Sequence, residues 1–387
     1  MIMRWFCYLL ILVMPGSVLA LSSIRESGAL QIKFSNLNTA VSVRQNGSGY
    51  VLNQTHHSIP VQLTNRLLVR ARSDVSANDL KKVGVNLIHV QQLAKLKQSA
   101  LWLVTIADIH DLQKTMEKLR QDTRIAYAQP DLLQTRQPAQ QQVIDANEQS
   151  LVTHSTGEQK ARVRLAIIDD GFNFHHPEFA NINLVLEYDA DQRVQSASPK
   201  SGLDQHGTLV AGVIVAAADE KGIDGLAPDV ELIAIRQVSS WTSDMVLAFS
   251  VARMMKADVV NSSWVLPFLP EPLFDLLADW MQEQQPYLVF AAGNNQRDAC
   301  DVNALSELKG IWLIGAANQK GQPLPYSNYG SCVSFYAPAQ FMSTAAQGAY
   351  KPFVGTSAAT AYVSGLIARE LANGNKPDMA FIKTFLF

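Results

Sequence analysis

The chain has 387 residues, of which 48% are hydrophobic and 17% charged, and its formal net charge is −2. This length allows two or three domains with a sizeable core, and the balanced composition excludes a collagen-like, repetitive or wholly disordered chain. The near-neutral charge gives no basic footprint, so no nucleic-acid partner is expected.

The first twenty residues are typical of an export signal. Arg4 supplies a basic start, residues 5–14 form a short apolar run, and the segment ends in small residues at Ala20. A membrane anchor is the alternative, but this run falls short of the roughly 20 apolar residues that span a bilayer. The sequence therefore predicts a secreted or periplasmic protein with no stable membrane anchor after signal removal.

Three stretches follow before the main body of the chain. Residues 21–60 are rich in Ser, Asn and Gln with little periodicity, and we interpret them as a loose leader of unknown role. Residues 61–136 predict a β-α-β-β-α-β order, which is a small ferredoxin-like α+β module with helices on one face of its sheet. Residues 137–154 are predicted to be a solvated linker that a protease would cut readily.

Residues 155–387 alternate apolar strands with helices. Continuous apolar strands fit a parallel sheet buried on both faces, so we predict a doubly wound, mostly parallel α/β sheet with helices on both faces. Ligand chemistry then belongs at the carboxyl ends of the strands. The predicted strands are 163–169, 231–236, 258–262, 287–292 and 311–316, and the predicted helices are 206–218, 243–255, 273–284 and 357–371. Trp264, Trp280, Met254 and Met255 are expected in the core.

Two regions of the chain carry opposite net charge. Residues 61–136 have 12 Lys+Arg against 7 Asp+Glu, a net charge of +5, and residues 151–387 have 16 against 24, a net charge of −8. Opposite charges favour association of two surfaces without specifying a fold.

Four polar residues lie where such a sheet would expose them. Asp169 closes an apolar strand, His206 begins a helix, Asn294 follows another strand, and Ser357 opens a helix within Gly-Thr-Ser. A Ser hydroxyl is a weak nucleophile, so acyl transfer needs a neutral His as base, a buried carboxylate that orients it, and donors for the oxyanion. A lone Asp at a strand end is more often a turn former and a lone Gly-Thr-Ser a helix cap, but the four together favour an acyl-transfer site.

Residues 163–372 resemble the catalytic domain of the subtilisin-like serine proteases, the subtilases. The order Asp, His, Ser and the intervals of 37, 88 and 63 residues are similar to that family's layout, as are the loops at 222–228, 327–330 and 337–338. The module at 61–136 resembles a subtilase propeptide, which implies a folding chaperone and intramolecular inhibitor whose tail lies in the active-site cleft.

The resemblance also implies a substrate-binding edge beside the P1 side chain, formed by Ser263, Trp264, Val265, Ala291, Ala292 and Gly293. Val265 stands where the family usually has Gly, and a side chain there would narrow the P1 pocket or move the substrate strand. Ala361 replaces the usual Pro of the Ser helix. Asp170 replaces the usual Ser or Thr, as in the kexin and furin branch, but the other motifs do not match that branch, so cleavage after paired basic residues is not inferred.

Three further groups have both a chemical and a structural interpretation. With Cys7 in the removed segment, Cys300 and Cys332 remain as an even pair, and they resemble a disulfide of aqualysin-like members, with free buried thiols as the alternative. Asp219 and Asp224 lie in a loop that binds calcium in many subtilases, but a solvated turn is the favoured interpretation. The His175–Glu178 turn could suggest a metal site, although a structural turn is favoured.

The sequence thus predicts a secreted serine endopeptidase made as a zymogen. It would use Asp169, His206 and Ser357 with Asn294 as oxyanion donor, act on peptide or protein substrates, require no cofactor, and cut itself between Leu132 and Thr153. The alternative is a catalytically silent relative that binds peptides.

Overall fold

The structure is a computed structural model that describes residues 30–54, 58–83, 86–135, 137–138, 161–219 and 221–386. The predicted export signal at 1–20 and the linker from 139 onward lie outside the described residues. No helix in the described part of the chain is long and apolar enough to cross a membrane.

Residues 30–138 form the N-terminal module. Its elements in chain order are β1 (Gln31–Asn36), β2 (Thr39–Asn46), β3 (Gly49–Asn53), β4 (Ser58–Arg72), α1 (Ala77–Val83), β5 (Leu87–Lys95), β6 (Ser99–Ile106), α2 (Leu112–Leu119), β7 (Ile125–Gln134) and β8 (Gln137–Pro138). Strands β1 to β7 make one antiparallel sheet in which β3, β6 and β7 all pair with the long strand β4. The β-α-β-β-α-β order from β4 to β7 is the one that the pattern predicts.

Two predictions for this part of the chain are wrong. Residues 31–53 are three strands that extend the sheet of the module, and they do not form a loose leader. The predicted boundary at residue 61 falls inside β4. The strand β1 alternates exposed and buried residues, with Ile32 and Phe34 in the core, so the two-residue period of a half-buried strand is present beneath a polar composition.

The sheet of the module is covered on both faces. One face packs against α1 and α2, where Leu80, Met116 and Leu119 share a buried cluster with strand residues such as Leu67. The opposite face packs against the C-terminal domain, the residues 161–386. The burial of β6 reflects this arrangement. Successive side chains of a strand point to opposite faces of the sheet, and nearly all residues of β6 are buried because both faces are covered.

The C-terminal domain is a seven-stranded parallel sheet with helices on both faces, as predicted. Its elements are β9 (Arg164–Asp169), β10 (Asn183–Asp189), α3 (His206–Val215), β11 (Glu231–Arg236), α4 (Thr242–Met254), β12 (Val259–Ser262), β13 (Trp264–Val265), α5 (Glu271–Glu283), β14 (Tyr287–Ala291), α6 (Ala299–Val302), β15 (Trp312–Ala317), β16 (Phe335–Pro338), β17 (Gln340–Thr344), β18 (Tyr350–Val354), α7 (Thr356–Ala372) and α8 (Met379–Lys383). The strand order is β10-β11-β9-β12-β14-β15-β16.

The two faces of this sheet have separate cores. Leu165 and Ile167 point towards α3 and α7, whereas Ala166 and Ile168 point towards α4 and α5. The carboxyl ends of all seven strands therefore lie at one edge, which positions the loops after β9, β12 and β14 beside one another. Met254, expected in the core, is instead 69% exposed at the end of α4.

The N-terminal module also caps α4. Trp241, at the N-cap position of this helix, makes no side-chain capping bond. The buried carboxylate of Asp131 accepts hydrogen bonds from the backbone N–H (2.9 Å) and the hydroxyl (2.8 Å) of Ser243, and it pairs with Arg66 at 2.9 Å. A carboxylate at a helix N-terminus satisfies otherwise unpaired N–H groups and interacts favourably with the helix dipole. Burial nevertheless raises the pKa of Asp131.

Candidate active site

Three of the predicted residues form a continuous hydrogen-bonded chain. His206 Nδ1 lies 2.8 Å from Asp169 Oδ1, and His206 Nε2 lies 3.0 Å from Ser357 Oγ. All three side chains are buried. Because the carboxylate can only accept at this contact, Nδ1 is the donor, and in the neutral imidazole Nε2 is then the nitrogen that accepts from the Ser357 hydroxyl.

Secondary structure brings these residues together from distant parts of the chain. Asp169 is the last residue of β9, His206 is the first residue of α3, and Ser357 is the second residue of α7. The close approach of α3 to β9 requires Gly207, since a Cβ atom there would lie 2.6 Å from the carbonyl oxygen of Gly171 and 3.0 Å from the Asp169 Cβ. A glycine after His206 is therefore a condition for the Asp169 contact.

Asp170 fixes the backbone of the helix that carries His206. Its carboxylate accepts from the backbone N–H groups of His206 (3.1 Å) and Gly207 (2.8 Å), while Gln205 at the N-cap position makes no side-chain capping bond. Burial and the neighbouring Asp169 carboxylate raise the pKa of Asp170 to about 6, and the nearby His206 lowers it in part. The sequence shows an unusual residue type at position 170 but does not indicate this capping role.

Asn294 lies beside the N-terminus of the Ser357 helix. Its side-chain oxygen accepts from the Thr356 backbone N–H at 3.0 Å, and the Thr356 hydroxyl accepts from the Gly293 N–H at 3.1 Å. The carboxamide oxygen is thus held by the helix, so the amide nitrogen is the atom of this side chain that can donate to an oxyanion. The Ser357 backbone N–H, in the first turn of α7, is a second donor at the positive end of a helix.

Asn328 positions the Asn294 loop, a role that the sequence did not reveal. Its backbone N–H donates to Gly293 O (2.8 Å), its side-chain nitrogen donates to Ala292 O (2.9 Å), and its side-chain oxygen accepts from the Asn295 N–H (3.0 Å). In the sequence, the 327–330 motif indicated only a family resemblance. Its contacts could not be predicted because they join residues more than 30 positions apart. The loops after β14 and β15 are also joined by a disulfide between Cys300 and Cys332, whose Cα atoms are 5.4 Å apart.

The predicted substrate-binding residues lie around Ser357. The Ser263 carbonyl oxygen is 2.9 Å from Ser357 Oγ, and the Ser263 hydroxyl donates to Asn261 and approaches Ser357 O. The Trp264 ring is buried in the core, where its Nε1 donates to Ile168 O at 3.0 Å, so this residue presents its backbone to the edge.

The Val265 side chain lies close to Gly293, in the loop after β14. A Cβ atom placed on Gly293, which has a φ of +107°, would lie 3.2 Å from Val265 Cγ1. Ala291 and Ala292 precede Gly293 and are fully buried. The Val265 side chain therefore occupies space directly opposite the predicted wall of the P1 pocket.

The N-terminal module occupies this edge. Strand β8 pairs antiparallel with β13, with Gln137 opposite Val265 and Pro138 opposite Trp264. In the preceding strand, β7, Leu133 forms an antiparallel bridge with Trp241, the residue before α4. The module thus places its C-terminal segment along the edge that is predicted to bind a substrate strand.

The remaining candidate residues make structural hydrogen bonds. His176 Nε2 lies 2.9 Å from Ala349 O, and its Nδ1 accepts from the Glu178 N–H, so the His176–Glu178 turn holds the loop before β18. The Asp219 carboxylate accepts from the Lys221 N–H at 3.1 Å. Among the described residues, which leave out Glu220, no three acidic, His or Cys side chains cluster as a metal site.

Comparison with known proteins agrees with this geometry. The model of the Subtilase family matches residues 160–381. The thermophilic serine proteinase of Bacillus sp. (strain AK1) is 25% identical over 340 residues, covering 82% of this chain and 80% of that protein. Subtilisin E of Bacillus subtilis (strain 168) is 27% identical over 264 residues, or 66% of this chain and 68% of that protein.

One solved structure extends the comparison to the module. Fervidolysin from Fervidobacterium pennivorans, described as a keratinolytic enzyme related to subtilisin, matches with a TM-score of 0.63 and 18% identity over 81% of this chain. The match covers 56% of the fervidolysin chain, so this chain spans little more than half of that protein. At this identity the likeness concerns the fold alone.

Proposed function

Because this chain belongs to the subtilase family of serine peptidases, we propose that it is an exported endopeptidase, made as a zymogen, whose nucleophile is Ser357. The observation that carries the proposal is the hydrogen-bonded chain from Asp169 through His206 to Ser357, with Asn294 beside it. A binding module has no need of a nucleophile, a base and an oxyanion donor at one place.

The geometry supports acyl transfer in two stages. In the first, Ser357 Oγ attacks the carbonyl carbon of the scissile peptide bond while its proton passes to His206 Nε2. Asp169, hydrogen-bonded to Nδ1 at 2.8 Å, stabilises the resulting imidazolium. The tetrahedral oxyanion accepts hydrogen bonds from the Asn294 amide and the Ser357 backbone N–H.

The intermediate then collapses, and the C–N bond breaks. His206 Nε2 returns its proton to the leaving amine, which departs, and an acyl-enzyme ester on Ser357 remains. In the second stage, water attacks the ester carbonyl and gives a proton to Nε2. Collapse of the second intermediate returns that proton to Ser357 Oγ and releases the carboxylic acid product, so the enzyme is regenerated.

The zymogen proposal rests on the contact of the module with the groove. The β8 pairing runs towards Ser263, because Gln137 lies opposite Val265 and Pro138 opposite Trp264. The Ser263 carbonyl contacts Ser357 Oγ, so the nucleophile lies beyond Pro138 in the direction of the chain. We therefore infer that the processing bond lies after Pro138, within the predicted range from Leu132 to Thr153.

A fluorophosphonate probe, which reacts covalently with an activated Ser, tests the proposal. The full-length wild type and Ser357→Ala are expressed side by side, and their intact masses are measured over time. We expect probe labelling and loss of the N-terminal module in the wild type only, with a new N-terminus after residue 138. A wild type that neither takes up the probe nor cleaves itself would favour the silent peptide-binding alternative.

The P1 preference is a separate test of the pocket. Because Val265 lies opposite Gly293, we expect the processed enzyme to prefer small or medium P1 residues in a peptide library. Val265→Gly, which restores the residue usual in the family, should widen the preference towards aromatic P1 residues. An aromatic preference in the wild type would refute the narrowed pocket.

A further inference from the structure

The segment 30–53 is built into the fold of the N-terminal module. Ile32, Phe34, Val41, Val43 and Leu52 are at most 4% exposed and belong to the same buried cluster as the rest of the module. Strand β3 pairs with β4 from Tyr50 to Asn53. A segment that contributes several core side chains and a strand pairing has a defined position relative to everything that the module contacts.

Two carboxamides of the module hold one loop of the C-terminal domain. Asn36, at the end of β1, accepts from the Glu271 N–H at 2.8 Å and donates to Leu269 O at 3.3 Å. Gln134, at the end of β7, accepts from the Phe268 N–H at 2.9 Å and donates to Phe268 O at 2.7 Å. Asn36 is 2% and Gln134 3% exposed. We call these four hydrogen bonds the carboxamide clasp.

The clasp supplies hydrogen-bond partners for backbone groups that the loop itself leaves unpaired at the start of α5. Helix α5 begins after Pro270, which has no side-chain oxygen to cap the first N–H groups of the helix. Asn36 takes that role from outside the domain, as Asp131 does for α4. Unpaired backbone groups in a buried loop are costly, so the loop is satisfied in this conformation through the docked module.

Phe268 anchors the same loop by its side chain. It is 1% exposed and belongs to the buried cluster of the N-terminal module, together with Phe34 and Leu132, although it lies in the C-terminal domain. A large aromatic side chain inserted into the core of a partner is typical of a binding hot spot.

The segment also reaches the catalytic groove. Gly49 and Tyr50 of β3, with residues 60–62 of β4, line a cavity of about 700 Å³. Asp170, Leu203 and His206 line the same cavity. The module therefore reaches the groove at two places, through β8 on the edge strand and through β3 in the cavity that His206 also lines.

We propose that residues 30–53 are a second inhibitory arm of the module, which holds the loop 268–271 through Asn36, together with Gln134 of β7, and covers the part of the groove that His206 lines. The arm extends the inhibitor beyond the region 61–136 and its partner is the C-terminal domain of the same chain. This inference rests on the proposed zymogen function, since an arm over the groove matters only if the groove is catalytic.

Hydrogen exchange in the full-length Ser357→Ala chain tests the clasp without any need for activity. Asn36→Ala should speed exchange of the Glu271 amide and the first turn of α5 about fivefold, the effect of losing one helix cap. Asn36→Asp keeps the acceptor and should preserve protection at Glu271. Asn46→Ala, an exposed position on the same sheet, is the matched control and should change nothing there. Unaltered protection in Asn36→Ala would overturn the clasp.

The inhibitory role is measured in chains that keep Ser357. The rate of fluorophosphonate labelling before the module is lost should be about fivefold higher in Asn36→Ala than in the wild type or Asn46→Ala, in proportion to the weakened cap. Equal rates together with altered exchange would show that the arm is structural only and would overturn the inhibitory role. If no chain is labelled, the proposed activity and the inhibitory role fail, and the exchange experiment alone decides the clasp.

Discussion

Asn294 offers a direct test of oxyanion stabilisation because its two side-chain atoms have separable contacts. The oxygen accepts from the Thr356 N–H at 3.0 Å, and the nitrogen is assigned to the oxyanion. Asn294→Asp keeps an oxygen for Thr356 but replaces the donor by an acceptor. Asn294→Ala removes both. The pair therefore distinguishes loss of the donor from loss of the helix contact.

The expected magnitude follows from the number of donors. The proposed oxyanion site has two, the Asn294 amide and the Ser357 backbone N–H, and only the first depends on a side chain. Removal of one such donor costs about 3–4 kcal/mol, or roughly 10²–10³ in kcat, a magnitude established on an enzyme of this family. We expect that loss in both variants, and a larger one in Asn294→Asp because a carboxylate repels the oxyanion.

Steady-state hydrolysis of a chromogenic peptide by the processed enzymes gives kcat and KM separately. KM should stay within about threefold of the wild type, since the oxyanion forms only in the transition state. Full activity in Asn294→Asp together with low activity in Asn294→Ala would refute the donor role, because it would assign the whole effect to the Thr356 contact.

Two further predictions concern the supports of the site. Burial and the neighbouring Asp169 carboxylate raise the pKa of Asp170 to about 6, so carboxyl-carbon NMR of the Ser357→Ala chain should show a carboxyl group that titrates near pH 6 and is missing in Asp170→Asn; the same set of titrating carboxyl groups in both chains would contradict this. In Cys300→Ser, tested in the inactive Ser357→Ala chain, loss of a cross-link that spans 32 residues should lower the free energy of unfolding by about 3–4 kcal/mol in urea titrations. Reduction of the parent chain is the control, and an unchanged urea midpoint would contradict this role.

The sequence predicted what short-range patterns encode. The parallel sheet followed from continuous apolar runs such as 231–236, which is the observed extent of β11. The positions of Asp169, His206 and Ser357 followed from where strands end and helices begin, together with the family resemblance. Their convergence is found in the structure, whereas their catalytic roles remain proposals.

Contacts between residues far apart in the chain could not be predicted from the sequence. The Asn36 bond to Glu271 joins residues 235 positions apart, and nothing in the local pattern around either residue indicates the other. Strand β1 was missed for a different reason, because Gln31, Lys33 and Ser35 on its exposed face obscured the alternation of Ile32 and Phe34. Strand β10 was missed because most of its residues are only partly buried and give no strong apolar signal.

The face of the module sheet that packs on α4 and α5 has a practical consequence. Leu68, Leu101 and Leu103 share one buried cluster with Val251 and Leu276 of those helices. Once the module is removed, the apolar side chains of α4 and α5, such as Val251 and Leu276, are exposed to water, and hydration of apolar surface is unfavourable. Concentrated stocks of the trimmed enzyme should therefore self-associate and adsorb to plastic, and strong salting-out agents such as ammonium sulfate should worsen the loss.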